Sequence, residues 1–238
     1  MRRSHLVAAV SAVAVLSLTA CGGTAATGSA STSAAPSSNG VSALTADQIL
    51  EKATTAAKAQ SSVHISGKGT SGGTALALDM KMRKGGGGYG SITLGTDTLQ
   101  MVTTGSEVYI KGDKAFWTSQ GSAATAAVIG DRWVKAAASD ASFAALAQLG
   151  DFGTGLDNFL KPDSAITKGD ESTVNGIKAI ALVSTSGKLW VATTGDPLPL
   201  RIDGSTAGEG VAFTEWNASF DIAAPAAADT IDLDSLKS

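Results

Sequence analysis

Few side chains in this 238-residue sequence are equipped for chemistry. It has one cysteine, Cys21, and two histidines, His5 and His64. A histidine-based metal site needs several ligands on one face, and a single histidine in the body of the chain cannot supply them. No G-x-S-x-G elbow marks a serine that His64 could activate. His64 alternates with Val63 and Ile65, which places it on the outer side of a strand as an ordinary surface residue. Gly85, Gly87 and Gly90 satisfy G-x-G-x-x-G within "KGGGGYG", but a dinucleotide loop must open a helix. Tyr89 onward reads as another strand, so the stretch reads as a hairpin turn. Asp229, Asp232 and Asp234 lack the spacing and glycine of a calcium loop and read as a solvated tail. These residues predict a protein that is not an enzyme, with no catalytic set, no metal and no cofactor.

The position of Cys21 has another explanation. Arg2 and Arg3 precede an apolar run from Leu6 to Leu18, and small residues follow. That is the layout of a secretory leader, and the run is shorter than the roughly 20 residues needed to span a bilayer. Cysteine directly after Leu18-Thr19-Ala20 resembles the lipobox of bacterial lipoproteins. The resemblance implies cleavage after residue 20 and a diacylglycerol on Cys21, its acyl chains (palmitate among them) holding the protein to the outer face of the cell membrane. Residues 21–43 are nearly all Gly, Ala, Ser and Thr, too poor in large apolar side chains to offset ordering entropy, and form a flexible tether. Removing Arg2 and Arg3 with the leader leaves 16 basic residues against 21 acidic, a net charge of −5. The basic residues form no stripe, which argues against a nucleic-acid partner.

The ordered domain spans 44–238. Thr45 is placed as an N-cap with Gln48 closing a capping box, and Leu44 and Ile49 sit at staple positions, so a helix is expected over 46–60. The period then changes to two. In "LALDMKMR" the residues Leu76, Leu78, Met80 and Met82 share one face. Further strands are expected around Ile92, Leu99 to Met101 and Val108 to Ile110. Helical spacing returns over 139–160 with Phe143, Leu146, Leu156 and Phe159, and Pro162 stops it. Strands resume over 177–185, 188–193, 198–202, 210–213 and 219–222. This order predicts an α+β fold with helices gathered on one face of one large antiparallel sheet.

The phrases "SSVHISGKG" (61–69), "VYIKGDKAFW" (108–117), "DRWVKA" (131–136) and "LWVATTGDPLPLRID" (189–203) resemble the actinobacterial LppX/LprG-type lipoproteins, which are similar in fold to the LolA and LolB carriers. The resemblance implies a strongly curved antiparallel half-barrel with helices packed on its concave face. It also implies an apolar cavity between the two for a lipid or glycolipid ligand. Independently, Leu76, Leu78, Met80, Met82, Leu99 and Met101 gather flexible methionines on one sheet face, as suits a surface that fits variable apolar partners. They are the expected cavity lining. The competing expectation is a filled half-barrel that serves as a non-catalytic interaction or sensor-accessory module.

Overall fold

The period-two stretches pair into one twelve-stranded sheet in the computed structural model, which describes residues 37–120 and 122–233. The leader, Cys21 and the first part of the tether lie outside the described residues, and so does Asp234. A first meander runs through β1 (Ser62–Ser71), β2 (Thr74–Arg83), β3 (Gly87–Leu94), β4 (Asp97–Thr103), β5 (Glu107–Gly112) and β6 (Trp133–Ala137). A second runs through β7 (Thr167–Val174), β8 (Ile177–Val183), β9 (Gly187–Ala192), β10 (Pro199–Gly204) and β11 (Gly210–Thr214). The two meet where β1 pairs antiparallel with β11. A last short strand, β12 (Thr230–Asp232), lies parallel to β6. The curved sheet does not close: β7 and β12 are its edges. Close approach at the join requires glycine at position 67, because a Cβ there would stand 2.8 Å from the Cα of Val211. Glycine in a strand commonly marks such a corner.

Among the described residues five α-helices accompany the sheet: α1 (Ala46–Ala59), α2 (Lys114–Gln120), α3 (Ala123–Ile129), α4 (Ala144–Gly150) and α5 (Phe152–Leu160). The start of α1 is the expected capping box: Gln48 N–H donates to Thr45 Oγ1 at 3.4 Å, and Thr45 N–H donates to Gln48 Oε1 at 3.1 Å. Its apolar stripe, Ile49 and Ala53, is buried against Ile180, Leu182 and Val191 of the second meander. Asp151 caps α5 by accepting from Thr154 N–H at 2.7 Å. Phe152, Leu156 and Leu160 of that helix pack on Val63, Ile65 and Phe213. Over the first meander, Trp117, Ala126 and Ile129 of α2 and α3 cover Leu99, Met101, Ile110 and Val134.

Several expectations are corrected. The alternation at 219–222 is not a strand. Glu215 and Asn217 take left-handed backbone angles and end the ladder after β11. Phe220 and Ile222 are instead buried, with Lys81 Nζ 4.9 Å from the Phe220 ring centre. The supposed solvated tail pairs as β12, and Lys135 Nζ lies 2.7 Å from Asp232 Oδ2. The edge strand β7, "TKGDESTV", has no apolar alternation to read, since an edge is protected by charge rather than by burial. The end of the expected tether is also ordered. Ser38 bridges to Thr194, Asn39 Nδ2 donates to the carbonyls of Ala192 and Gly195 at 3.0 Å each, and Val41 is buried. These contacts, with Lys168 Nζ donating to the carbonyls of Ser42 and Leu44, hold a stretch whose composition otherwise favours disorder.

Candidate functional site

The register across the inner face sorts the expected cavity residues into two tiers. In the deeper tier Ile65 faces Met80, Met80 faces Gly90, Gly90 faces Met101 and Met101 faces Ile110. Met80, Met82, Leu99 and Met101 are all buried in the core clusters under the helices. Glycines make room for two of the methionines. The Met80 sulfur is 2.7 Å from the point where a Cβ on Gly90 would stand. The Met82 sulfur is 3.1 Å from the corresponding point on Gly155 of α5. These side chains fill gaps in a close-packed interior, a role that suits an unbranched thioether. Leu78 is half-buried and touches both clusters. Leu76, also half-buried, lies toward the hairpin tips opposite Leu94, which is 48% exposed.

The second tier is a row that the helices cover incompletely. Leu189 faces Ile202, Ile202 faces Val211, Val211 faces Gly67, Gly67 faces Leu78 and Leu78 faces Ile92. Each of the five large apolar residues in this row is half-buried. At its β9 end the row enters a pocket of about 110 Å³. Leu50 of α1, Phe159 of α5, Ile166 and Leu182 complete its apolar wall with Leu189 and Ile202. Its lip is polar: Lys161 and Asp163 follow α5, and Ser184, Ser186 and Lys188 belong to the β8–β9 hairpin. Burial pushes the Asp163 carboxyl up, but the hydroxyls of Ser186, Ser184 and Thr185 and its own backbone outweigh that and hold it below the usual aspartate value. The sequence signal for this site lies in the alternation of "KLWVA" and "PLRI" and in Phe159 on α5, which lie outside the expected lining.

His64 lies on the outer face, as its alternation implied, with a 17% exposed side chain. Its Nε2 is 3.0 Å from Asp79 Oδ1 and its Nδ1 is 3.4 Å from Thr214 Oγ1. Glu215 stands 3.8 Å from Nδ1 and pairs with Lys81 at 3.0 Å. This network of alternating charges is on the side of the sheet away from the pocket. Also on the outer face, Trp190 Nε1 donates to Asp203 Oδ2 at 2.7 Å, whereas Trp117 is a core residue and Trp216 stacks on Phe213. Among the described residues no group of three or more metal-ligating side chains is placed to hold an ion, and no helix is long and apolar enough to cross a membrane.

No family model matches the sequence, and no curated protein matches it. Among solved structures the chain is similar to LprF from Mycobacterium bovis, at 16% identity, covering 76% of this chain and 97% of that one with a TM-score of 0.49. The likeness is one of architecture. It assigns neither ligand nor chemistry to the pocket.

Proposed function

We propose that this protein is a membrane-anchored lipoprotein of the extracytoplasmic face that binds acylated lipids between its sheet and its helices. It hands them on without catalysing a reaction. The observation that carries this reading is the incompletely covered, half-buried apolar row Leu189–Ile202–Val211–Leu78–Ile92, whose β9 end enters the pocket. A contiguous apolar surface inside a concavity favours an apolar ligand. Each methylene moved from water onto it contributes about 0.8 kcal/mol, while the headgroup stays at the wet lip. Anchoring through a diacylglycerol on Cys21 rests on the lipobox resemblance.

The sealed methionine tier favours a second reading, in which the half-barrel is filled and serves as an interaction module. Mass spectrometry of lipids extracted from the purified full chain carrying Cys21→Ala separates the two. The carrier reading expects a stoichiometric acylated lipid. A chain that carries no lipid, and takes up none when offered, belongs to the second reading.

A further inference from the structure

Resting on the lipid-binding reading, we infer that residues 162–166 are a strap gating the pocket, latched by Asp163 and Ser164 to the β8–β9 hairpin and lifted to admit an acyl chain. The enclosed space of about 110 Å³ is well below the roughly 300 Å³ at which pockets begin to enclose a ligand. A wall must therefore move before a chain can enter.

The walls differ in how they are held. Strands β8, β9 and β10 are laddered on both sides. Helix α1 is fixed by its capping box and by Ile49 and Ala53. Helix α5 is fixed by its Asp151 cap and by Phe152, Leu156 and Leu160. The strap joins the end of α5 to the start of the edge strand β7. Among the described residues no backbone–backbone hydrogen bond holds 162–166.

Its hold comes from side chains. Ile166 is half-buried against the cluster of Ile180, Leu182 and Val191. At the hairpin tip Thr185 N–H donates to Ser164 Oγ at 3.1 Å. Thr185 Oγ1 also lies 3.1 Å from Ser164 Oγ and 3.3 Å from Asp163 Oδ2. The tip has a backbone closure of its own, Ser184 N–H donating to the Gly187 carbonyl at 2.9 Å. The strap is therefore the movable partner. Each such hydrogen bond has a modest net worth, because water replaces it on opening. Behind the strap the wall is apolar: Phe159, Leu182, Leu189 and Ile202. Lifting it exposes a surface that an acyl chain covers and a polar solute does not. A minor open population suffices for entry.

The test uses the full chain carrying Cys21→Ala, delipidated, with Ser164→Cys and Thr185→Cys across the latch. Uptake of cis-parinaric acid is followed by stopped-flow fluorescence. Oxidation of the pair is expected to slow uptake at least about tenfold, and a reductant to restore the wild-type rate. Asp163→Ala together with Ser164→Ala is expected to speed uptake about fivefold, with an unchanged melting temperature. Uptake at the wild-type rate with the pair oxidised, its thiols titrated as absent, overturns the gate. So does a rate untouched by the two alanines. A pair that copper–phenanthroline cannot oxidise overturns the latch, since the two hydroxyls stand 3.1 Å apart. A wild type that takes up no probe is a different failure: lipid binding falls, and the gate with it, whatever the latch does.

Discussion

At the scale of single residues, the telling contact is a methionine laid over a glycine. Met80 fills the space above Gly90, and Met82 fills that beside Gly155. Flexible side chains at these places complete an interior rather than a ligand surface. Gly90→Ala would drive a Cβ into the Asp79 carbonyl oxygen as well as 2.7 Å from the Met80 sulfur. Strand β2 as well as Met80 must then shift, and stability should fall by at least about 1–3 kcal/mol, read as a drop in melting temperature by circular dichroism. Met80→Trp should do at least as much. If either variant melted as wild type while losing lipid uptake, the methionine tier would be a cavity wall after all. His64 gives the opposite expectation. It sits among Asp79, Thr214 and Glu215 on the outer face, so His64→Ala should leave lipid uptake within twofold. A loss of a hundredfold or more in any activity later assigned to the protein would mark it as a general base.

At the scale of elements, β12 is the part held most narrowly. Three residues pair with β6, and Lys135 adds ion pairs to Asp232 at 2.7 Å and to Glu107 at 3.4 Å. Lys135→Met should free β12, seen as faster amide exchange at 230–232 with β3 and β4 unchanged. Acid should act in the same place. The Tyr109 hydroxyl donates to Glu107, and together with Lys135 it holds that carboxyl below its ordinary value of 4.5 against the opposing effect of burial. A depressed folded value contributes stability above the unfolded one and loses it as pH falls through the folded one. Local exchange at β5, β6 and β12 should therefore rise below about pH 4.5, and Glu107→Gln should remove that dependence.

What could be read in advance follows from the same physics. The capping box of α1 and the alternation of β2 are local, and local signals are visible in a sequence. β7 and β12 are edges, stabilised by one neighbour and by charge, so their composition resembles that of loops. The site was half legible. The inner face of β2 was identified, but which of its rows stays open depends on where α1 and α5 stop. Leu50 and Phe159 reach Leu189 and Ile202 only through folding.

At the scale of the whole molecule, the described chain joins the sheet at Ser38 beside Thr194, past the Ala192 end of β9, while the pocket lip is at its Gly187 end. A carrier tethered through residues before Ser38 would need that tether to turn the lip toward a membrane. Cys21→Ala should abolish labelling by radioactive palmitate and release the protein from the membrane fraction. A variant that still incorporated the label would remove the anchor from this account.

The pairing of β1 with β11 also governs how the chain must assemble. His64 and Thr214 meet across 150 residues of sequence, whereas most strands within each meander have neighbours a turn away and β6 follows β5 after only α2 and α3. Contacts so distant form late, because closing the intervening loop has an entropic cost that local hairpins avoid. Until β11 has emerged and folded, the free edge of β1 stands exposed beside a finished half-sheet, a template for mispairing. Its composition, "SVHISGKGTS", interrupts the apolar residues with histidine, lysine and glycine, which keeps that waiting edge from adhering to another chain.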